Sequence, residues 1–205
     1  MYIAIAGNIG SGKTYLAELI SDKLGWQTYY ENSDNPYIGD FYNDMLRWSF
    51  NLQVYFLGKR LGQVSSIVES GVNTVADRTI YEDARVFAAH LHKAGLLPTR
   101  DYETYMQVYG FTVSQLPLPD LLIYLRASSV TLVNQIRHRG RSYEAAIDER
   151  YLESLSGLYE EWIGEYPGKL LVIDIDKEDF ITDEKVRGKI LERIEAELDL
   201  PAGME

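Results

Sequence analysis

The first pattern able to do chemistry is a glycine-rich loop, GNIGSGKT, at residues 7–14. Its spacing is that of the P-loop, in which glycines let the backbone pass close to phosphate oxygens. Loop amides and the following helix N-terminus cradle the anion, the lysine adds charge at the β- and γ-phosphates, and the threonine can ligate Mg²⁺. The candidate nucleotide-binding residues are Gly7, Asn8, Ile9, Gly10, Ser11, Gly12, Lys13 and Thr14.

Charged residues follow two other apolar segments of the chain. Glu31 comes after QTYY, and Asp77 and Arg78 come after NTVA. Beside a P-loop, Asp77 can complete the Mg²⁺ shell, Arg78 can neutralise charge on the transferring group, and Glu31 can accept the proton of an attacking hydroxyl. These residues predict phosphoryl transfer, although each taken singly could be an ordinary surface charge at the start of a loop.

A cluster of arginines lies within QIRHRGRSYE, residues 135–144. Arg137, Arg139 and Arg141 form a local positive pole that could close over phosphates, because the guanidinium fork binds oxygens bidentately. We therefore include Arg137 among the candidate donor-binding residues. The alternative is a set of charges that complement the dipole at a helix C-terminus.

The long helical segment in the middle of the chain suggests what the acceptor is. On a wheel of about 100° per residue, Tyr42, Gln53 and Arg60 share one stripe if the helix is unbroken. A flat ligand with hydrogen-bonding edges, such as a nucleobase, would satisfy these polar groups on a mainly apolar face. Further on, Asp83 and Phe87 lie one turn apart and offer an acceptor and a stacking ring. The alternative is that the aromatic residues are core and that Arg60 and Asp83 form a surface ion pair.

Alternating strands and helices must position these residues. We predict strands at 2–6, 27–30, 72–76, 120–125 and 170–174, and helices near 13–24, 40–69, 79–95, 100–110, 128–139, 148–165 and 183–198. This alternation indicates an α/β fold, a five-stranded parallel sheet covered by helices on both faces. Ligands of such sheets bind beyond the carboxyl ends of the strands, where the candidate residues lie.

Composition narrows the class of protein. A chain of 205 residues with 46% hydrophobic content fits a single domain, and the net charge of −11 disfavours a nucleic-acid polymer as partner. The absence of cysteine excludes disulfides and thiolate metal sites and favours the cytoplasm. No apolar run reaches membrane-spanning length, and a chain that starts on a strand leaves no room for a signal peptide, so we expect no membrane association.

Several separated motifs together resemble the deoxynucleoside kinases, and in particular the bacterial deoxyadenosine and deoxyguanosine kinases. They are GNIGSGKT, YYE, NPY, FYNDMLRWSFNLQ, DRTIYED, PDLLIYLRAS and RGRSYE, in this order. The resemblance implies one P-loop kinase domain over residues 1–205, with a short arginine-rich lid at about 137–146. It also implies ATP as phosphate donor, Mg²⁺ and a homodimer. Arg139 and Arg141 match lid arginines on the donor phosphates, whereas Gln135 stands where some relatives carry another.

The resemblance also assigns roles around the sugar of the acceptor. Glu31 matches the general base for the nucleoside 5′-hydroxyl, and Arg78 matches the arginine that holds that hydroxyl and the base together. Tyr42 and Glu144 match the two groups that hold the 3′-hydroxyl. Glu144 is supplied by the resemblance alone.

The resemblance also implies which residues contact the nucleobase. Gln53 matches the amide that reads the base edge, and Phe87 fits the ring that stacks on it. Arg60 and Asp83 match a pair found in members that take purines or deoxycytidine. The expected reaction is ATP-dependent phosphorylation of a deoxynucleoside at its 5′-hydroxyl, with purines ranked before deoxycytidine and thymidine last.

Two alternatives remain at this point. A nucleoside monophosphate kinase, such as a thymidylate kinase, shares the P-loop, an Asp-Arg strand end and a lid, but Glu31 would repel its phosphorylated acceptor. The second alternative is a catalytically silent nucleotide-binding subunit. Such a subunit would not need Lys13, Glu31 and Arg78, all of which are present.

Overall fold

The computed structural model describes residues 1–30, 35–140 and 147–200. A parallel five-stranded sheet with strand order β2-β3-β1-β4-β5 forms its centre. Its strands are β1 (Tyr2–Gly7), β2 (Gln27–Tyr29), β3 (Thr74–Asp77), β4 (Leu121–Arg126) and β5 (Leu170–Asp174). All six residues of β1 are buried, as expected of a central parallel strand covered on both faces. The predicted fold class is confirmed.

The helices lie between and after the strands. They are α1 (Lys13–Leu24), α2 (Ile38–Asn43), α3 (Met45–Ser70), α4 (Ile80–Glu82), α5 (Ala89–Lys93), α6 (Thr99–Ser114), α7 (Ser129–Arg139), α8 (Glu149–Gly164) and α9 (Glu184–Glu197), with a π-helical segment (Asp83–Ala88) joining α4 to α5. Among the described residues, no helix is both long enough and apolar enough to cross a membrane.

Two hydrophobic clusters cover the two faces of the sheet, because side chains alternate between faces along each strand. On one face Ile3 and Ile5 pack with α1 and α9. On the other face Tyr2 and Ala4 pack with α3 and α8. A third cluster lies away from the sheet and joins α3, α4, the π segment and α6.

Two predicted helices are more complex than their patterns indicate. The helix expected at 40–69 is interrupted at Asp44, whose side chain accepts a hydrogen bond from the amide of Arg47 and so caps the start of α3. The wheel that aligned Tyr42 with Gln53 assumed an unbroken helix and is therefore wrong for Tyr42. The helix expected at 79–95 contains the π-helical segment, a feature found frequently at functional sites.

The strand order brings the candidate residues to one edge of the sheet. β3 lies between β2 and β1, with Tyr29 beside Ala76 and Ile5 beside Asp77. The connection that leaves β1 leads through α1 to β2, whereas the one that leaves β3 leads to β4 on the other side of β1. The carboxyl ends of β1 and β3 therefore form a topological switch point, the usual place for a ligand in such sheets.

Candidate active site

The P-loop, residues 7–14, has a backbone that requires glycine at two positions. Gly10 and Gly12 have φ angles of 85° and 88°, in the left-handed region that L side chains rarely adopt. A Cβ on Gly10 would lie 2.9 Å from Cγ1 of Ile136, and one on Gly12 would lie 3.2 Å from the ring of Phe180. The loop is thus packed between α7 and the segment after β5, with the N-terminus of α1 immediately behind it.

The side chains of Lys13 and Thr14 lie where the P-loop spacing predicts. The Lys13 ammonium is buried and donates hydrogen bonds to the carbonyls of Gly7 at 2.7 Å and Asn8 at 2.9 Å. The Thr14 hydroxyl donates to Oδ2 of Asp77 at 2.5 Å. Asp77 is the last residue of β3, so this hydrogen bond joins the start of α1 to the end of β3.

A hydroxyl and a carboxylate in contact are suitable ligands for a hard cation such as Mg²⁺. Asp77 is buried, and its Oδ1 atom has no hydrogen-bond partner among the residues that the structure describes. An unpartnered buried carboxylate oxygen is costly unless something bonds to it. Thr14 and Asp77 therefore fit the metal site predicted from the sequence.

The side chain of Asn8 bonds to a helix outside the P-loop. Its side chain donates hydrogen bonds at 2.9 Å to the carbonyl of Leu152 and to the hydroxyl of Ser156, and it accepts one from the amide of Ile9 at 2.8 Å. The side chain thus fastens the P-loop to α8, and Asn8 contributes to the anion cradle through its backbone. Ser11 is fully buried within the loop.

Arg78 follows β3 in a strained conformation. Its φ angle is 87°, which costs roughly 1–3 kcal/mol for a residue other than glycine and persists only where the surroundings fix it. Its amide donates to the carbonyl of Ile5 at 3.0 Å. The guanidinium carbon lies 5.1 Å from the centre of the Phe87 ring, a cation–π distance. Two residues predicted to bind the acceptor are therefore in contact.

The buried face of α3 carries Gln53 and Arg60. Arg60 Nε lies 3.3 Å from Oδ2 of Asp83, and both side chains are almost fully buried, so the pair is not a surface ion pair. Oε1 of Gln53 is buried and has no hydrogen-bond partner within the described part of the chain. A row of polar groups thus lies along a mainly apolar helix face, as the sequence predicted.

Tyr42 lies on α2, half-exposed, with its ring edge against Phe41 at a centroid distance of 5.3 Å. Burial, together with the nearby hydroxyl of Tyr42, raises the pKa of Tyr151 to about 12, and the nearby Arg78 opposes this rise. Tyr42, Tyr151 and Arg78 therefore belong to one neighbourhood, although α2 and α3 are separate helices. The sequence did not predict Tyr151 in this neighbourhood.

The remaining candidates lie at or beyond the edges of the described ranges. Arg137 and Arg139 are exposed in the last turn of α7, which ends at Arg139 and is followed by Gly140. Glu31, Arg141 and Glu144 lie outside the described residues. Among the described residues, no cluster of three histidine, cysteine or acidic side chains forms a further metal site.

Comparison with known proteins decides between the interpretations left open by the sequence. The model of the deoxynucleoside kinase family matches residues 3–199, almost the whole chain. The chain belongs to the deoxynucleoside kinase family. The kinase is 37% identical to the deoxyadenosine/deoxycytidine kinase of Bacillus subtilis over 94% of its own length and 90% of that relative.

Further relatives agree with this assignment. The kinase is 35% identical to the deoxyguanosine kinase of Bacillus subtilis, with 89% of this chain and 90% of that one covered. It also superposes on the deoxyadenosine kinase of M. mycoides, solved with dCMP and dCDP, with a TM-score of 0.84 and 32% identity over 96% of this chain and 100% of that one. The reaction of the kinase is the phosphorylation of a deoxynucleoside.

Two residues at the centre of the kinase were not found from the sequence. Glu82 and Tyr159 are fully buried, and the Tyr159 hydroxyl lies 2.6 Å from Oε2 of Glu82. The spacing of Thr79 and Glu82 is that of a capping box, and this signal could have identified the acid. Tyr159 lies on the buried face of an amphipathic helix, where its sequence position resembles ordinary core.

Proposed function

We propose that this kinase transfers the γ-phosphoryl group of ATP to the 5′-hydroxyl of a purine deoxynucleoside and accepts deoxycytidine less well. The observation that carries the proposal is the buried polar row of α3 beside Arg78. We use the name nucleoside pocket for the side chains of Gln53, Arg60, Arg78, Asp83 and Phe87. A base with an exocyclic amino group would satisfy the oxygen of Gln53, and the ring of Phe87 offers a stacking surface.

The donor is held in this proposal by the P-loop and the residues around it. Loop amides and the Lys13 ammonium bind the β- and γ-phosphates, and the helix dipole of α1 adds to the attraction. Thr14 and Asp77 would hold Mg²⁺, which neutralises charge on the β- and γ-oxygens when bound. Arg137 and Arg139, with Arg141, would form a lid at about residues 137–146 in a single domain.

The adenine of ATP has a suitable cavity next to the P-loop. A space of about 200 Å³ lies between α7 and the segment after β5, lined in part by Gln135, Asp176 and Phe180. Phe180 also packs against Gly12, so this cavity continues from the phosphate cradle. Its amide and carboxylate groups can bond to the edge of a base, and its apolar side chains can contact the ring.

Glu31 and Arg78 act on the acceptor. In the sequence, Glu31 comes two residues after Tyr29, the last residue of β2. Tyr29 lies beside Ala76 of β3, and Arg78 is the residue that follows β3. Glu31 takes the proton of the 5′-hydroxyl as its oxygen attacks the phosphorus atom, and Arg78 holds that hydroxyl in place. Tyr42 and Glu144 orient the 3′-hydroxyl.

The order of bases follows from hydrogen-bond chemistry. An amide such as Gln53 can bond bidentately to adenine, and a guanidinium suits the acceptors of guanine. Cytosine also offers a ring nitrogen and an amino group, whereas thymine lacks the amino donor. The relatives named above include deoxyadenosine, deoxyguanosine and deoxycytidine kinases, which supports an acceptor among these three nucleosides.

The test is a panel of acceptors with radiolabelled ATP and Mg²⁺. It comprises the four deoxynucleosides, the four ribonucleosides, dAMP and dTMP, with kcat/KM measured for each. We expect the highest value for a purine deoxynucleoside, a lower one for deoxycytidine and the lowest deoxynucleoside value for thymidine. A clear preference for thymidine would refute the assigned base order, and a preference for dAMP or dTMP would refute an uncharged acceptor.

The assembly proposed here is a homodimer in the cytoplasm, formed through α3 and α6. These two helices pack against each other and expose apolar side chains, of which Phe111 is 73% exposed. The others among the described residues are Leu46, Val54, Leu61, Val68 and Val108. Residues 54, 61 and 68 are seven apart, which places them on one face of α3. A two-fold axis would bring this surface against its own copy.

Light scattering tests the homodimer. The native chain is expected to have twice the mass of the monomer, and Leu61→Lys combined with Phe111→Lys is expected to have the monomer mass. Val130→Lys is the matched control, since Val130 is also an exposed apolar residue, 61% exposed, but lies on α7. A native chain with the monomer mass would refute the dimer.

A further inference from the structure

A fully buried acid, Glu82, joins two parts of the active site. Its Oε1 atom accepts a hydrogen bond from the amide of Thr79 at 2.9 Å, and the Thr79 hydroxyl accepts one from the amide of Glu82 at 3.1 Å. Its Oε2 atom accepts from the Tyr159 hydroxyl at 2.6 Å and lies 3.5 Å from the amide of Gly7, the long limit of a hydrogen bond. The acid therefore contacts the turn after β3, the helix α8 and the P-loop.

Tyr159 carries this connection to the P-loop. Its hydroxyl also lies 2.9 Å from the carbonyl oxygen of Gly7, the same atom to which the Lys13 ammonium donates at 2.7 Å. Burial raises the pKa of Tyr159 well above its ordinary value, so the hydroxyl keeps its proton. The Gly7 carbonyl is thus the point where Lys13 and the Glu82–Tyr159 pair meet.

The other end of the connection is the strained turn that carries Arg78. Arg78 has the left-handed φ angle, and Thr79 is the next residue. Because Glu82 and Thr79 bond to each other in both directions, the capping box fixes the backbone directly after the strain. Strained residues keep their conformation only when their neighbours determine it in this way.

Burial alone does not explain an acid at this position. A carboxylate that leaves water loses solvation, and an apolar side chain in the same place would pack without that loss. The acid is compensated by donors from Thr79 and Tyr159, which come from segments 80 residues apart. The hydrogen bonds of Glu82 fix the distance between the end of β1 and the turn after β3. Apolar packing alone would not fix this distance.

We propose that Glu82 and Tyr159 are positioning residues that hold the P-loop and Arg78 in register for phosphoryl transfer. The inference rests on the roles proposed above for the P-loop and Arg78. Each substrate keeps its own contacts when the pair is broken, so ground-state binding persists. The alignment of donor and acceptor is lost, and misplacement by about 1 Å can lower a rate by roughly 10²-fold.

The experiment compares Tyr159→Phe and Glu82→Gln with the native kinase. Steady-state kinetics give kcat and the KM values for ATP and for the best deoxynucleoside of the panel, and thermal melts followed by circular dichroism give Tm. We expect kcat to fall by about 10- to 100-fold in both variants, with each KM within about threefold of the native value. If Glu82→Gln does not fold, Tyr159→Phe decides the question alone, because it keeps the ring and removes one oxygen.

Tyr124→Phe is the matched control. Tyr124 is also buried and stacks on Tyr159 with centroids 5.7 Å apart, but its hydroxyl bonds to Glu160 at 3.0 Å, away from the P-loop. We expect its kcat to stay within about threefold of native. The proposal is overturned if Tyr159→Phe folds and keeps native kcat, if its loss lies in the KM for ATP, or if Tyr124→Phe loses as much. An inactive native kinase would instead refute the proposed function.

Discussion

The P-loop and the nucleoside pocket differ in how the chain supplies their parts. The P-loop is eight consecutive residues whose chemistry comes largely from backbone amides, and its shape depends on local φ angles. The nucleoside pocket takes side chains from α3, from the residue after β3 and from the π segment. Its geometry therefore depends on how helices pack in the third cluster. A binding site made of backbone can be recognised from a short pattern, whereas one made of distant side chains depends on tertiary structure.

The largest expected effect is on the acceptor side. Glu31→Gln is expected to lower kcat by about 10²–10⁴-fold, because the amide cannot take the proton of the attacking hydroxyl. Single-turnover phosphate transfer measures the loss. Glu69→Gln, at an exposed position near the end of α3, serves as control. A variant with native turnover would remove residue 31 from its role.

On the donor side, Lys13→Met is expected to lower kcat/KM for ATP by about 10²–10³-fold, since a positioned charge on the phosphates is lost. Steady-state kinetics at varied ATP give this value, and the KM for the deoxynucleoside should stay near native. Lys23→Met, at the exposed opposite end of α1, should be neutral. If the loss appeared in the KM for the nucleoside instead, the two ends of the site would not be independent.

Gln53→Ala tests the nucleoside pocket alone. We expect kcat/KM for the preferred deoxynucleoside to fall by about 10–100-fold, the size of one good bidentate contact to a base. The KM for ATP should not change. Gln115→Ala, at an exposed position after α6, is the control. Equal loss for all four bases would mean that Gln53 supports packing and does not read the base.

Of these four variants, Gly10→Ala is expected to change the rate of phosphoryl transfer least. It acts through the backbone of the P-loop. The left-handed φ angle and the contact with Ile136 should lower the free energy of unfolding by roughly 1–3 kcal/mol. The KM for ATP should rise several-fold. Gly157→Ala on α8 meets nothing within 4 Å and should raise stability slightly, by up to about 1 kcal/mol. Urea unfolding compares the two, and a stable Gly10→Ala would contradict the packed loop.

The same contrast explains what the sequence could predict. The order of strands and helices followed from apolar periodicity, and β5 and α1 agree residue by residue with the prediction. The break at Asp44 was missed, because a helical wheel assumes one continuous helix wherever each residue is compatible with helical structure. The π segment was missed because its sequence continues the apolar pattern of the helix around it.

The site residues divide in the same way. The burial of Gln53 and Arg60 on one face of α3, with Asp83 against Arg60, could be predicted, because polar side chains on an apolar face need partners. The contacts of Tyr159 could not, since an aromatic residue on the buried side of α8 has the pattern of core. The role of Asn8 was also hidden, because P-loop spacing does not show that a side chain turns away toward α8.

The position of the third hydrophobic cluster has a consequence for how this protein can change. This cluster packs α3, α4, the π segment and α6 against one another. Within the described ranges, it shares no side chain with the cluster in which α1 and α9 cover the sheet. Substitutions of the third cluster's side chains on α3 and α6 can therefore change the packing around the proposed nucleoside pocket while the packing of α1 and α9 on the other face of the sheet is left unchanged. Under the proposed function, a change of acceptor therefore requires no change in the core that supports the P-loop helix.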